Sequence, residues 1–196
     1  MLASRTAQEL NLAGVGSTLN VTGHVVRRLV DMFETIYVHH QLPAWSQNLT
    51  AKVARKPKMH LVDSGLAALL TGVDAERLTQ PGAPFAGALL ETFVAGELCR
   101  QLTWSDTEAR AYHFRGRDGA KVDIVLERPS GEIVGVEVKA APDFDASDLR
   151  GLRLMRDRLG SAFVCGVLIH CGDAVQQVDE RIWALPVNAL WTEPPA

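Results

Sequence analysis

Apolar residues in the first part of the chain recur every three or four positions, the spacing of a helix that buries one face. The clearest case is residues 21–36, where Thr22 is a suitable N-cap. Two shorter runs have strand-like composition, and the first of them stops at Pro43. The predicted elements are helices at 6–10, 12–19 and 21–36 and strands at 36–42 and 59–62. Three helices followed by two strands predict a winged helix, whose third helix can enter a DNA groove.

A stretch rich in Gly, Pro and Asp interrupts this pattern, and a different one follows it. The second part begins with a predicted helix that carries a long apolar stripe and continues mainly with strands. Its predicted elements are helices at 85–102 and 148–159 and strands at 111–115, 121–127, 133–140, 162–170 and 181–187. We therefore predict a winged-helix-like module at 1–72, a linker at 73–84 and, at 85–196, an α/β (α+β) domain.

Composition indicates an ordinary globular protein. The chain has 196 residues, of which 47% are hydrophobic and 22% charged. No run of about 18 apolar residues that could span a membrane occurs in the sequence, and the N-terminal residues lack the apolar segment of a signal peptide. Three cysteines without a C-x-x-C pair fit reduced thiols. These features predict a cytoplasmic protein with no membrane partner.

Positive charge is concentrated in the first part of the chain. The net charge is -3, yet residues 1–80 alone carry an excess of two positive charges. The predicted nucleic-acid contacts are Arg27 and Arg28 on the third helix, Lys52, Arg55, Lys56 and Lys58 in a loop that could form the wing, and Arg115 at a strand end. A module of this size can equally serve as a protein-interaction or spacer domain.

Two strands of the second part are joined by the turn-rich segment Arg128-Pro129-Ser130-Gly131-Glu132, which predicts a hairpin. A turn centred on Ser130 sets Asp123 opposite Glu137. Like charges at the 4.5–5.5 Å of a cross-strand pair repel unless a cation or a proton lies between them. We therefore expect a site for a divalent cation here.

Lys139 lies two residues after Glu137 and is expected on the same strand face, while Val138 points into the core. Carboxylate oxygens favour Mg²⁺ or Mn²⁺, and a nearby ammonium can activate water or stabilise charge on a phosphate. Phosphodiester hydrolysis suits these groups. Charged residues that alternate along a half-exposed strand produce the same pattern without any function.

The order of helix, hairpin, helix and buried strand resembles the PD-(D/E)xK, restriction-endonuclease-like fold, which implies a mixed sheet flanked by helices. Asp123 and Glu137-Val138-Lys139 match its name-giving motif, and Glu91 matches the acidic residue of its first helix. The resemblance implies that Asp123, Glu137 and the carbonyl of Val138 bind the metal. It further implies that Lys139 assists the attacking water and that Glu91 supports the metal site.

Four blocks of sequence, in order, resemble the DUF4143 region of bacterial and archaeal AAA+ family ATPases. They are PKMHLVDSGL at 57–66, GALLETFV at 87–94, Phe114-Arg115 with Lys121-Val122-Asp123, and VEVKA at 136–140. The resemblance implies an ATPase domain followed by a winged-helix segment and an endonuclease-like domain. The sequence contains no G-x-x-x-x-G-K-[ST] phosphate loop, so the ATPase domain is expected upstream in a longer chain or in a separate protein.

Lys121 departs from this family pattern, because it stands where the family often has an acidic residue. We expect it on the strand face opposite Asp123, where the change removes no ligand. Two functions stay open at this point. One is a metal-dependent nuclease, and the other is a non-catalytic DNA-binding or ATPase-regulating module that kept the fold.

Overall fold

A computed structural model of the protein describes residues 1–47, 56–80, 82–116 and 118–192. The N-terminal part begins with a short 3-10 turn at Ala3–Arg5. It continues with β1 (Gln8–Glu9), α1 (Leu12–Leu19), α2 (Gly23–Thr35), β2 (His39–Leu42) and β3 (Lys58–Leu61). The three strands form an antiparallel sheet in the order β1-β3-β2, so β3 is central.

The predicted helix at 6–10 is wrong, because this segment pairs with β3 instead. The Ala7 amide donates to the carbonyl of Met59, and the Leu10 amide donates to the carbonyl of Pro57. Tertiary backbone pairing therefore overrides the helical pattern of so short a segment. The two longer helices are confirmed, and the Thr22 side chain caps α2 by accepting from the Val25 amide. The winged-helix interpretation of 1–72 stays a prediction.

Two helices that the sequence analysis did not predict follow the small sheet. They are α3 (Ser64–Thr71) and α4 (Ala75–Leu78), the latter within the segment interpreted as a linker. Asp63 caps the start of α3, and Gly72 ends it in the left-handed conformation that glycine adopts easily.

The larger part of the chain forms a six-stranded mixed sheet with helices on both faces. It contains α5 (Ala86–Gln101), β4 (Arg110–Arg115), β5 (Lys121–Glu127), β6 (Ile133–Lys139), α6 (Arg150–Leu159), β7 (Phe163–His170), β8 (Gln176–Asp179) and β9 (Ile182–Pro186). The strand order is β4-β5-β6-β7-β9-β8. Strand β7 is parallel to its neighbours β6 and β9, and the other pairs are antiparallel. The predicted α+β architecture is confirmed; β8 was not predicted.

The helices α5 and α6 cover opposite faces of this sheet. Val94 and Ala95 of α5 pack with Ile124 and Val136, while Leu152 of α6 belongs to a second core cluster. That second cluster also contains Met155, Val122, Val125, Phe163 and Leu168. Both apolar layers lie against the hairpin that carries the candidate acids, so the sheet holds them on a rigid support.

Helix α6 starts unusually close to β5. A methyl group built on Gly151 would overlap the carbonyl oxygen of Lys121, so only glycine permits this approach. The N-terminal part also contacts the larger part directly: Ala44, after β2, forms an isolated bridge with His113 of β4, and the hydroxyls of Thr6, before β1, and Thr92 of α5 lie 2.8 Å apart. Among the described helices, none is both long enough and apolar enough to cross a bilayer.

Candidate functional site

The β5–β6 hairpin has the register that the sequence predicts. Ile124 lies opposite Val136 in the last pair of this ladder. The next residues along the two strands are Asp123 and Glu137. On its other side β5 contains a bulge. The pairing with β4 moves from Tyr112–Val125 to Phe114–Val122, so Asp123 and Ile124 together face one residue of β4. A bulge of this kind breaks the strict alternation of side chains and redirects the side chain of Asp123.

Asp123 is the centre of a buried polar cluster. Its side chain is only 1% exposed, and three donors surround its carboxylate. The ammonium of Lys58 lies 3.1 Å from Oδ1, the ammonium of Lys121 lies 3.3 Å from the same oxygen, and the Val138 amide donates to Oδ2 at 3.2 Å. These contacts offset the desolvation penalty of burying a carboxylate.

Lys58 joins the helix acid to this carboxylate. Its ammonium lies 2.6 Å from Oε1 of Glu91, and both side chains are 11% exposed. The prediction that Lys58 lies in a basic loop open to nucleic acid is therefore wrong. The residue begins β3 and points toward α5 and β5, because the antiparallel pairing of β3 turns it inward between the two carboxylates.

Glu137 is bound by a lysine from the neighbouring strand. The ammonium of Lys121 lies 3.0 Å from Oε1 of Glu137, and the other oxygen, Oε2, is buried with no hydrogen-bond partner among the described residues. The expectation that Lys121 faces away from Asp123 is wrong. Residues two apart on a strand share a face, and one ammonium contacts both carboxylates. We call Glu91, Asp123, Glu137, Lys58 and Lys121 the acid–lysine cluster.

Lys139 does not join the carboxylates it was expected to accompany. Its ammonium lies 2.6 Å from Oδ1 of Asp148, just before α6. It does border the same cleft as Glu137, a cavity of about 370 Å³ between the hairpin end and the start of α6. The cleft is lined by residues 119–121, 137–139, 147, 148, 150 and 151.

The three acids of the cluster differ in pKa, and therefore in protonation at neutral pH. Burial alone would raise the pKa of Asp123, but the charges of Lys58 and Lys121 outweigh it and hold that pKa below its usual value. Burial and the nearby charge of Asp123 raise the pKa of Glu91 to about 8 and that of Glu137 to about 8. Burial opposes the charge of both lysines, but the carboxylates raise the pKa of each overall. Asp123 is therefore the charged acid near neutral pH, and a divalent cation would favour charge on the other two.

The remaining predicted nucleic-acid contacts lie on other surfaces or outside the described residues. Arg27 and Arg28 are exposed on α2, and Lys56 is exposed before β3. Arg115 ends β4 opposite Lys121, with Oε1 of Glu9 3.7 Å from its Nε atom. Lys52 and Arg55 lie outside the described residues.

The structure places Lys58 and Lys121 beside the candidate acids, whereas the sequence analysis did not. For Lys121 the signal was present, since the i, i+2 spacing to Asp123 places both on one strand face. For Lys58 the only signal was its place in the first of the four family-like blocks. Within the described residues, no group of three or more His, Cys, Asp and Glu side chains has the geometry of a metal site, because lysines separate the acids.

The fold and the site together define an α+β domain whose mixed sheet holds an acid–lysine cluster beside a cleft. The chain belongs to the family described as a domain of unknown function, DUF4143, whose sequence model matches residues 86–190. This confirms the resemblance to DUF4143. The model of a second domain of unknown function, DUF8612, matches residues 1–77.

Two curated relatives cover almost the whole chain. They are the uncharacterized proteins Rv2008c of Mycobacterium tuberculosis and Mb2031c of Mycobacterium bovis, each 32% identical over 193 residues. The alignment covers 98% of this chain but 41% of each relative, so the chain spans about two fifths of their length. No solved structure matches the chain.

Proposed function

We propose that this chain is the nuclease-like region of a larger AAA+ family ATPase and that its acid–lysine cluster binds Mg²⁺ or Mn²⁺ to act on nucleic acid. The observation that carries the proposal is a shared cation position. Asp123 and Glu137 come from adjacent strands, and one ammonium, that of Lys121, lies within 3.3 Å of both carboxylates. Oxygen ligands held this way suit a small hard cation.

The residues present fit such an ion. Glu137 lines the cleft, and its buried oxygen Oε2, which has no partner among the described residues, is available as a ligand atom. Asp123, Glu137 and the carbonyl of Val138 would hold the ion, and Glu91 would support Asp123 through Lys58. When bound, Mg²⁺ or Mn²⁺ supplies a Lewis acid and lowers the pKa of a bound water. Lys139, held by Asp148, would bring positive charge to a phosphate in the cleft.

The wider assignment has two supports. The order α5, β5–β6 hairpin, α6 and β7 is that of the PD-(D/E)xK fold as the sequence resemblance describes it. The curated relatives are more than twice as long as this chain, which leaves room in them for an ATPase domain. In this proposal the exposed Arg27 and Arg28 of α2 contact nucleic acid, preferably DNA, and the ATPase domain lies upstream or in a partner protein.

A cleavage assay tests the proposal. Labelled single-stranded, duplex and branched DNA, and the same forms of RNA, are incubated with the chain in Mg²⁺, in Mn²⁺ and with a chelator. We expect metal-dependent cleavage that is lost in Asp123→Asn. That variant keeps the shape of the side chain and removes the charge that a metal requires. Cleavage that persists in Asp123→Asn, or no cleavage in any metal, contradicts the proposal.

One observation favours a second function, a non-catalytic module that binds nucleic acid or regulates an ATPase. Lys58 and Lys121 already supply counter-charges for the acids, and Lys139 is engaged by Asp148. In that case the cluster stabilises the fold, and nucleic-acid binding is indifferent to chelator and to Asp123→Asn. Binding measured by fluorescence anisotropy with and without chelator separates the two functions.

A further inference from the structure

We propose that Lys121 is a displaceable internal cation: its ammonium bridges Asp123 and Glu137 when no metal is bound, and a divalent cation expels it into the cleft, where it contacts a phosphodiester. The inference rests on the proposed function, because it concerns the same site. It gives Lys121 two roles. The residue occupies the metal position when no metal is bound, and it contributes to substrate binding once it is displaced.

The first step is that ammonium and metal compete for one place. The Lys121 ammonium lies 3.3 Å from Oδ1 of Asp123 and 3.0 Å from Oε1 of Glu137. The acceptor side chains are 1% and 9% exposed, so neither can turn away to solvent without opening the core. A divalent cation on both oxygens would lie within a few ångströms of the ammonium, and like charges at that distance repel, the more so because both acceptor carboxylates are buried.

The second step is that Lys121 can leave while Lys58 cannot. The Lys121 side chain is 56% exposed at the start of β5, whereas the Lys58 side chain is 11% exposed. The four-carbon stem of a lysine is joined by rotatable single bonds, so it can carry its ammonium into water without moving the strand. Lys58 would then remain between Glu91 and Asp123 when the metal enters.

The third step is the destination of the ammonium. Lys121 lines the cleft together with Lys139 and Arg150, and Arg150 donates to the backbone carbonyl of Asp118 at 2.8 Å. An ammonium released into this cleft adds a third cation to one wall. Such a wall attracts a phosphodiester, so metal binding and substrate binding support each other.

Direct metal titration tests the first half. Mn²⁺ binding to the full chain is followed by the loss of the free Mn²⁺ electron paramagnetic resonance signal, with no substrate present. We expect Lys121→Met to bind Mn²⁺ roughly tenfold more tightly than wild type, because the competing charge is gone. Arg150→Met is the matched control: it removes a positive charge from the same cleft without touching a cluster acid, and its Mn²⁺ affinity should match that of wild type.

Substrate binding tests the second half of the proposal. Here the expected change in affinity for Lys121→Met has the opposite sign to the change in Mn²⁺ affinity. Affinity for a labelled phosphorothioate DNA oligonucleotide in saturating Mn²⁺ should fall several-fold in Lys121→Met. Lys121→Gln repeats both measurements with a polar side chain, and circular dichroism checks that each variant is folded.

Three results would overturn the inference. Equal Mn²⁺ affinity in wild type and Lys121→Met means that the ammonium does not compete, and the proposed function survives that result. Unchanged oligonucleotide affinity means that the released lysine does not reach the substrate. If neither protein binds Mn²⁺ at millimolar concentration, the inference and the proposed function fail together.

Discussion

Replacing Lys58 by methionine removes the buried ion pairs that this residue of the small sheet forms with Glu91 of α5 and Asp123 of β5. Methionine has nearly the length of the lysine stem, so packing is kept and the charge is lost. Removing one partner of a buried pair costs about 3–5 kcal/mol. Asp123 keeps Lys121 at 3.3 Å and the Val138 amide at 3.2 Å, and Glu91 can hold a proton, since its pKa is raised to about 8. We therefore expect the lower end, about 3 kcal/mol at pH 7.

Denaturant unfolding measures this loss directly, and thermal unfolding should show a decrease in Tm of about 6–12 °C for a chain of this size. Lys56→Met is the matched control, because Lys56 is exposed two residues earlier and should cost less than about 0.5 kcal/mol.

A double-mutant cycle shows whether the loss comes from the pair. Glu91→Met destabilises wild type by removing the acceptor of the Lys58 ammonium, but in Lys58→Met it removes an acid that has already lost its partner. The two losses should therefore be less than additive, by about 1–2 kcal/mol. Strict additivity, or a Lys58→Met protein as stable as Lys56→Met, would refute the reasoning.

Three further outcomes follow from the structure. The pKa of Glu137 is raised to about 8 from 4.5, so its contribution to stability is fully present below pH 4.5 and is lost as pH rises through 8. Urea unfolding at pH 5 and pH 9 should show a decline of a few kcal/mol, clearly smaller in Glu137→Gln; an identical decline would contradict this. Burial holds the pKa of His60 well below 6.5, so stability falls as pH drops below 6.5, and His60→Gln should lose less between pH 7 and pH 5. Gly151→Ala should cost at least about 1–3 kcal/mol by overlap with the Lys121 carbonyl, whereas Gly87→Ala, which meets open space, should not destabilise; equal melting temperatures of the two variants would exclude the overlap.

The sequence predicted the elements that are long and regular. The helix α5, the β5–β6 hairpin with its register, α6 and β7 were each predicted within a few residues, because periodicity and turn composition are local signals. The segment at 6–10 was not, because its conformation is decided by pairing with β3, some fifty residues later in the chain.

The candidate site was predicted in composition but not in pairing. Asp123 and Glu137 lie at neighbouring strand ends, as the spacing indicates. The bulge at Asp123 and the close start of α6 then decide which lysine meets which acid. Lys139 forms an ion pair with Asp148, while Lys121 occupies the position beside the carboxylates that was expected for Lys139. Neither a bulge nor a helix approach has a clear local signature, so the partners of Lys58 and Lys139 required the structure, whereas the i, i+2 spacing already placed Lys121 on the same strand face as Asp123.

Because Lys58 lies on the central strand of the small sheet, the charge balance of the acid–lysine cluster depends on how that sheet packs against α5. A force that drew β3 away from α5 would extract one positive charge from between Glu91 and Asp123. The electrostatic potential at Asp123 would then become more negative, although no residue of the large sheet had moved.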